Sequence, residues 1–254
     1  MFCKRRVAAT LGIAILGILV SGIAYAQKPE ALDSFKRGIQ FKNDGSFFQA
    51  KAMFEQALKQ DPKFHQARVE LAAAYLELNQ YDKAEEEFAQ LKKTKSTLYK
   101  YHTYRGLMNY RKGLRVWTDL VKNEFKQYVF KDDGSEKFIA AGSPPEVQID
   151  KQVKKVNQDT TDFEARYRLR GMYYDFAIQE LQQGVKENAQ DTLAGITLGL
   201  VYLERGRPDL AKKQAESLDK IHAMSADVLR REIERLAQAK AELLAEPDEE
   251  PKSR

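Results

Sequence analysis

Apolar residues recur along most of this chain at the three- and four-residue spacing of amphipathic helices, and small residues recur within that pattern at a longer, fixed interval. From Ala31 onward, a small residue is followed twelve positions later by a second one, and over most of the chain the pair returns after 34 residues. Two antiparallel helices approach closely only where neither carries a bulky side chain at the crossing point, so each pair predicts a helix hairpin. The pairs are Gly38/Ala50, Ala72/Ala84, Gly106/Thr118, Ala165/Ala177 and Gly199/Ala211.

The first predicted hairpin, Ala31–Phe64, carries a specific set of residues around its small pair. Aromatic residues, a turn glycine and a closing proline accompany the two small residues. In chain order the set is Gly38, Phe41, Gly45, Phe47, Ala50, Phe54, Ala57 and Pro62. In type and spacing this set resembles the tetratricopeptide repeat family, and the resemblance implies an all-α solenoid of stacked helix hairpins.

The resemblance extends over most of the chain and predicts a solenoid domain over residues 27–244. Two of the repeats diverge from the family pattern. The third has Asn109 where an aromatic residue is expected, and the fourth has Arg168 and Met172 at positions that depart from the pattern. The predicted repeats lie near residues 31–64, 65–98, 99–132, 158–191 and 192–225.

A 25-residue insertion, residues 133–157, interrupts the predicted array. Ile149 and Val156 belong to an apolar series at helical spacing within it, which predicts an extra helix. Ser143–Glu146 has the pattern of a capping box that would start this helix. Thr161–Glu164 has the same pattern ahead of the fourth repeat.

Beyond the last repeat, Leu229, Ile233 and Leu236 mark the apolar face of one more helix. We expect this helix, over residues 226–244, to cover the apolar end of the last hairpin, because a solenoid has to shield its final face from water. A dimerising coiled coil is the alternative, although the segment holds few heptads. Residues 245–254 are polar and acidic and predict a disordered tail.

The N-terminal residues predict export from the cytoplasm. Lys4, Arg5 and Arg6 precede a largely apolar run, Val7–Ala26, that ends in a small-x-small cleavage pattern. We expect residues 1–26 to be removed as a secretory signal, which would leave the mature protein in a periplasm. An uncleaved inner-membrane anchor is the alternative, because the run is long enough to span a bilayer.

Removal of this segment changes the charge and the cysteine content of the chain. The formal net charge of +5 falls to +2, because the segment carries three basic residues and no acidic ones. The single cysteine, Cys3, is removed as well, so the mature chain can fold in an oxidising compartment without disulfide errors. A chain this close to charge balance gives no general reason to expect nucleic-acid binding.

No enzyme signature stands out in the sequence. We find no glycine-rich phosphate loop, no paired metal-ligand spacing and no nucleophile elbow. His65, His102 and His222 are isolated from one another. Asn43–Ser46 has the start of a calcium-loop pattern but coincides with a predicted helix turn and lacks the later glutamate. We therefore expect no enzymatic activity, no cofactor and no bound metal.

The family resemblance also implies a binding surface. In proteins that this chain resembles, five positions on each first helix line a concave groove that holds an extended peptide or a partner helix. Transferred to the last three repeats, these positions imply a groove that is basic and aromatic near its middle and apolar toward its C-terminal end. The predicted partner-binding residues are Lys100, Thr103, Leu107, Tyr110, Arg111, Arg166, Leu169, Arg170, Ile196, Leu200 and Leu203.

Three hypotheses for function follow from the repeats and the signal. The first is a non-enzymatic periplasmic scaffold, expected to be a monomer, that binds a peptide segment or helix of an envelope protein. The second is a membrane-tethered structural solenoid that packs on itself or on copies of itself. The third is an adaptor for an anionic envelope polymer, suggested by the basic residues around the groove. These residues are Arg111, Lys112, Arg115, Arg166, Arg168 and Arg170.

Overall fold

The computed structural model describes residues 28–94, 99–116 and 135–245. These residues contain ten α-helices and no β-strand, so the all-α prediction is confirmed. The predicted signal, the end of the third predicted repeat and residues 246–254 lie outside the described residues. The helices are α1 (Pro29–Asn43), α2 (Phe47–Gln60), α3 (His65–Glu77), α4 (Tyr81–Lys93), α5 (Tyr99–Arg115), α6 (Pro145–Gln158), α7 (Phe163–Glu187), α8 (Thr192–Glu204), α9 (Pro208–Asp219) and α10 (Ala223–Ala245).

The hairpins α1/α2, α3/α4 and α8/α9 close with the same turn. Gly45, Asn79 and Gly206 hold equivalent positions in it, with φ values of 72°, 57° and 64°. In the first hairpin, the N–H of Ser46 donates to the carbonyl of Phe41 at 2.8 Å, and the other two turns repeat this bond. Each first helix therefore ends in a Schellman motif, which needs a residue that tolerates positive φ.

The small residues of the first two hairpins lie where their helices cross. Ala50, Ala72 and Ala84 are fully buried. A Cβ atom on Gly38 would lie 2.5 Å from Cε1 of Phe54, a distance at which one of the two groups has to move. The periodic small positions thus permit the close approach of the helices.

The segment predicted to form the fourth hairpin forms a single helix instead. We predicted a helix pair within residues 158–191, and this prediction is wrong, because α7 runs without a break from Phe163 to Glu187. Met172 stands at the position that Gly45 holds in the first hairpin. Methionine favours a continuing helix and does not readily adopt positive φ, so no turn forms there.

The C-terminal half of α7 pairs with α5. Gly106 of α5 lies against Leu181 of α7, and Gly113 lies against Tyr174. The two helices run antiparallel, as the two helices of a hairpin do, so α5 and the second half of α7 together form the third hairpin. The chain between them, residues 116–173, is inserted into this repeat, and we call it the excursion. The interruption is therefore longer than predicted and lies within a repeat.

The predicted extra helix is α6, and it packs on the first half of α7. Ile149 and Val156 of α6 join Leu169 of α7 in one apolar cluster. Before α6, the ring of Phe138 lies against Gly171, where a Cβ atom would collide with it. The glycine inside α7 thus permits a close contact between ring and helix.

Neither predicted capping box forms. The N-cap of α6 is Pro144, with no side-chain hydrogen bond, so Ser143 does not cap the helix and Glu146 is used elsewhere. The N-cap of α7 is Asp162, one residue later than predicted, and its carboxylate accepts a hydrogen bond from the N–H of Ala165 at 2.8 Å. Aspartate is among the strongest N-cap residues, which accounts for the shift.

The last helix covers the end of the array, as predicted. Leu229 and Ile233 of α10 join Leu218 of α9 and Leu203 of α8 in one buried cluster. Within residues 28–94, 99–116 and 135–245, no helix combines the length and the apolar character needed to cross a bilayer.

Candidate protein-binding surface

The first helices of the hairpins lie side by side. α1 contacts α3, α3 contacts α5, α5 contacts α8, and α8 contacts α10. We call the surface that they share the first-helix face. Three of the predicted partner-binding residues on it, Thr103, Leu107 and Leu203, are buried. Thr103 also donates a hydrogen bond to Asp191 at 2.7 Å, so these side chains support the face from beneath.

Paired charges occupy the first-helix face between α1 and α5. Glu70 of α3 has a side chain only 5% exposed, and it accepts from Lys42 at 2.5 Å and from Lys100 at 2.9 Å. Lys42 also donates to the hydroxyl of Tyr104 at 3.0 Å. Burial by itself would lower the pKa of Lys100, but the Glu70 carboxylate outweighs burial and raises that pKa. A partner would have to compete with these internal pairs.

The end of α5 is more accessible. Arg111 donates to Glu77 at 2.9 Å and to the carbonyl of Leu76 at 3.1 Å. About a third of each charged side chain is exposed, and exposed ion pairs contribute only about 0–1 kcal/mol to stability. Tyr110, which precedes Arg111, is half-buried, with its ring centre 6.0 Å from that of Tyr174.

Apolar side chains form the accessible part of the face on α8. Leu193 is 40% exposed, and Ile196 and Leu200 are half-buried one and two turns further along. Glu204 follows on the same helix. α8 borders α5, and Glu204 contacts the hydroxyl of Tyr174, whose ring packs on Tyr110. Burial raises the pKa of the Tyr110 phenol, and the nearby Glu204 raises it further. We call the following residues the C-terminal patch: Tyr110, Arg111, Leu193, Ile196 and Leu200.

Arg166, Leu169 and Arg170 do not join the C-terminal patch, because they lie on the first half of α7 and not on the first helix of a hairpin. Arg170 is 3% exposed, donates to Glu204 at 2.6 Å and stacks over the ring of Tyr174 at 4.9 Å. Leu169 is buried against α6, and Arg166 donates to two backbone carbonyls. These three side chains hold the excursion in place.

A charged network that no sequence pattern indicates ties α6 and α7 to the array. Arg105 of α5 donates to Glu180 of α7 at 2.7 Å and also to Glu146 of α6. Lys92 of α4 donates to Glu146 at 2.9 Å, and His102 shares a 2.7 Å hydrogen bond with Glu180. Burial by itself would raise the pKa of Glu146, but the hydrogen bonds from Lys92 and Arg105 lower it to about 2. No spacing rule connects residues this far apart in sequence.

Comparison with known proteins agrees with the hairpin geometry. Residues 44–99, which span α2, α3 and α4, match the tetratricopeptide repeat family. This part of the chain consists of tetratricopeptide repeats. No curated protein shows significant similarity to it.

Several solved structures resemble this tetratricopeptide-repeat protein. TTC0263, a thermophilic tetratricopeptide-repeat protein from Thermus thermophilus, is 19% identical over 82% of this chain and 99% of its own, with a TM-score of 0.43. MamA from Desulfovibrio magneticus is 19% identical over 82% and 98%, with a TM-score of 0.31. YrrB, described as having an unusual peptide-binding site, is 14% identical over 79% and 92%, with a TM-score of 0.30. Because all three scores lie below 0.5, the family assignment rests on the repeats.

The histidines of this tetratricopeptide-repeat protein are engaged locally or buried. His102 contacts Glu180, and His222 shares a hydrogen bond with Ser225 at 2.9 Å. Nδ1 of His65 is buried and has no hydrogen-bond partner among the described residues. In the same part of the chain, no group of three or more histidine, cysteine, aspartate or glutamate side chains is arranged to hold a metal ion.

Proposed function

We propose that this tetratricopeptide-repeat protein is a non-enzymatic scaffold, exported to a periplasm, that holds a segment of an envelope protein on its C-terminal patch. The accessible apolar side chains of the patch carry the proposal. Leu193, Ile196 and Leu200 follow one another at helical spacing on α8 and remain partly open to solvent. Apolar side chains grouped on a surface favour contact with another protein.

The patch also indicates the chemistry of the segment. Arg111 belongs to the same first-helix face and points toward α3, where it pairs with Glu77. A guanidinium can bind a carboxylate through two parallel hydrogen bonds. Arg111 now pairs with Glu77, and this ion pair is partly exposed. A carboxylate of the bound segment can therefore replace Glu77 at a small cost in free energy. A segment with apolar side chains next to an acidic residue therefore fits the patch best.

The ion pairs disfavour an anionic polymer as the partner. Four of the six basic residues that suggested this hypothesis already face carboxylates at 2.5 to 3.5 Å, and a polymer would have to displace them. Charge repulsion from the displaced carboxylates would oppose the gain. The four residues are Arg111, Lys112, Arg168 and Arg170.

Export rests on the first 26 residues, so it needs its own test. N-terminal sequencing of the protein recovered separately from the periplasmic and membrane fractions locates any cleavage. We expect the mature protein to begin at Gln27 and to be recovered from the periplasmic fraction. Recovery of intact residues 1–26 from membranes would support the tethered alternative instead.

Site-specific photo-crosslinking in cells tests the binding surface. A photo-reactive amino acid placed at Leu193 should give a discrete adduct, which mass spectrometry identifies as an envelope protein. The control is Phe48 on α2, which is 67% exposed and lies on a second helix, away from the first-helix face. We expect no adduct from this position.

A pair of variants shows whether the adduct depends on the patch. With the photo-reactive residue at Tyr110, Leu193→Glu should remove the adduct because it places a charge in the apolar stripe. Phe48→Glu makes the same kind of change on α2 and should leave the adduct intact. If the adduct survives Leu193→Glu, or forms equally from position 48, the binding surface lies outside the C-terminal patch.

A further inference from the structure

A short piece of the excursion, residues 136–139, lies against α7 and belongs to no helix or strand. We call it the internal segment. Phe138 is its buried residue, at 7% exposure, and Ile139 is half-buried, whereas Glu136 and Lys137 are exposed. The internal segment therefore contacts the fold through two apolar side chains and its main chain, as a bound peptide does.

The ring of Phe138 fills a space on α7 that Gly171 leaves open, because a Cβ atom at Gly171 would collide with the ring. Tyr167, one turn earlier on α7, meets the Phe138 ring edge to face, with centroids 5.3 Å apart. The guanidinium of Arg205, the C-cap of α8, lies 4.8 Å from the centre of the Phe138 ring. This space thus suits an aromatic ring, which can contact a second ring and a cation at once.

Two charged side chains hold the main chain of the internal segment. The carboxylate of Asp175 accepts from the N–H groups of Phe138 and Ile139 at 2.8 and 3.4 Å. Arg205 donates to the carbonyl of Glu136 and pairs with Asp175 at 3.3 Å. The side chains of Asp175 and Arg205 are only 15% and 4% exposed. Because every residue except proline has the same main-chain donor and acceptor, these bonds do not require a particular side chain.

Ile139 makes the second apolar contact of the internal segment. It packs against the cluster that contains Ile149 of α6 and Leu169 of α7, whereas Phe138 joins Tyr167 in a separate cluster. The contacts therefore select a phenylalanine followed by an aliphatic residue. We call the following residues the α7 site, and none of them belongs to the C-terminal patch: Tyr167, Gly171, Asp175 and Arg205.

The chain that follows the internal segment has an attachment of its own. Gln148 of α6 accepts from the N–H of Ala140 and donates to its carbonyl, both at 2.9 Å, and it also donates to the carbonyl of Ser143. None of these bonds involves residues 136–139. The attachment of the loop to α6 therefore does not depend on the internal segment staying on the α7 site.

We propose that the α7 site binds an irregular segment of a partner protein in which phenylalanine precedes an aliphatic residue, and that the internal segment competes with it for the site. The contacts of Phe138, Ile139 and the main chain carry this proposal, because another chain with the same two side chains can make all of them. An internal competitor lowers the apparent affinity of the partner by the fraction of molecules whose site is open. The proposal goes beyond the scaffold function and is tested separately from it, because the C-terminal patch contributes nothing to this site.

The test uses a peptide with the sequence of residues 135–141, acetylated and amidated, as the partner segment. The receptor is the full chain with Phe138→Ala, which removes the competing ring and leaves the α7 site intact. Isothermal titration calorimetry, supported by saturation-transfer NMR for weak binding, measures the affinity. We expect a Kd of about 1 mM or tighter for this variant. The wild type should bind the peptide at least about tenfold more weakly, because its internal segment competes.

Matched changes in the peptide and the receptor locate the binding. The peptide with alanine in place of phenylalanine should bind the Phe138→Ala receptor at least about tenfold more weakly, because it buries no ring. Adding Gly171→Ala to the receptor should have a similar effect, since the new methyl group lies where the ring has to enter. Alanine favours a helix more than glycine does, so the fold should persist. Adding Gln179→Ala instead, at an exposed position of α7, should leave the affinity unchanged.

Circular dichroism shows whether the receptor is folded. If Phe138→Ala loses its helical signal, Phe138→Leu replaces it in the same titrations, because leucine keeps an apolar side chain in the space beside Gly171 while removing the ring. The expected order of affinities is the same for either receptor.

Four results in these titrations would overturn the proposal. They are equal affinity of the wild type and the receptor variant, equal affinity for the two peptides, unchanged affinity after Gly171→Ala, and no binding up to about 10 mM peptide. Light scattering of the wild type gives a fifth. A dimer that Phe138→Ala converts to a monomer would assign the α7 site to a second copy of this chain and would exclude exchange with a partner protein.

Discussion

Gly106 of α5 lies against Leu181 of α7 as Gly38 lies against Phe54 within the first hairpin. A single helix–helix turn joins the helices that carry Gly38 and Phe54. The helices that carry Gly106 and Leu181 are separated in sequence by the excursion. The array of hairpins is therefore continuous in space although the third repeat is interrupted in sequence. The excursion adds α6 to the solenoid.

This pairing can be tested by a double-mutant cycle. A Cβ atom at position 106 would lie 2.5 Å from Cγ of Leu181 and 3.2 Å from its backbone nitrogen, so Gly106→Ala should destabilise the protein by about 1–3 kcal/mol. Leu181→Ala should cost about 2–5 kcal/mol on its own. In the double variant the smaller side chain makes room for the new methyl group, so the combined loss measured by urea unfolding should fall short of the sum by about 1 kcal/mol.

The control for this cycle uses the partner expected from the sequence period alone. Thr118→Ala should not relieve the effect of Gly106→Ala. Strict additivity of Gly106→Ala and Leu181→Ala would argue against the pairing of α5 with the C-terminal half of α7.

Arg105 should be among the most sensitive positions of the fold. Arg105→Ala leaves Glu180 and Glu146 without their guanidinium partner, and breaking a buried pair in this way costs about 3–5 kcal/mol. The matched control is Lys92→Ala, because its ammonium also pairs with Glu146 but its side chain is 63% exposed. We expect a loss of no more than about 1 kcal/mol for Lys92→Ala in urea unfolding. Equal losses would show that the network does not hold the excursion.

Arg170 and Arg111 should respond differently to charge reversal. Arg170→Glu places a carboxylate beside Glu204 at a position that is 3% exposed, so we expect a loss of about 3 kcal/mol or more. Arg111→Glu faces Glu77 at the surface and should cost about 1 kcal/mol or less. Thermal unfolding followed by circular dichroism measures both. A stable Arg170→Glu variant would contradict the burial of this guanidinium and make it available for binding.

Glu146 should make stability depend on pH in the acidic range. Its pKa falls from the ordinary value of 4.5 to about 2 in the folded chain, so the folded state holds its proton more weakly than the unfolded state. The resulting stabilisation is complete above about pH 5 and is lost as the pH falls toward 2. Urea unfolding across this range should show the wild-type advantage over Glu146→Gln shrinking with the pH.

Asp150→Asn provides the control for this pH dependence, because Asp150 is exposed on the same helix. The difference between wild type and Asp150→Asn should stay nearly constant across the range. A wild-type advantage over Glu146→Gln that is the same at pH 7 and near pH 3 would refute the assigned cause.

The helices and most of the turns could be predicted from the amino-acid sequence, because they depend on local chemistry. Gly45, Asn79 and Gly206 end their helices through hydrogen bonds that span only a few residues. Met172 breaks the repeat pattern at the position of a turn. This effect is local as well, because methionine does not readily adopt the positive φ that the turn needs. Ile196 and Leu200 of the C-terminal patch were expected from family positions, and both lie on α8.

The pairing of helices and the burial of charges could not be predicted in this way, because both depend on packing between distant segments. The entropy of closing a loop grows slowly with its length, so a long insertion within a hairpin is tolerated and nearness in sequence does not select the partner helix. α5 therefore packs against the half of α7 whose side chains fit Gly106 and Gly113. The burial of Arg170 and the pairing of Arg105 follow from that choice, because each depends on packing between segments that sequence spacing does not connect.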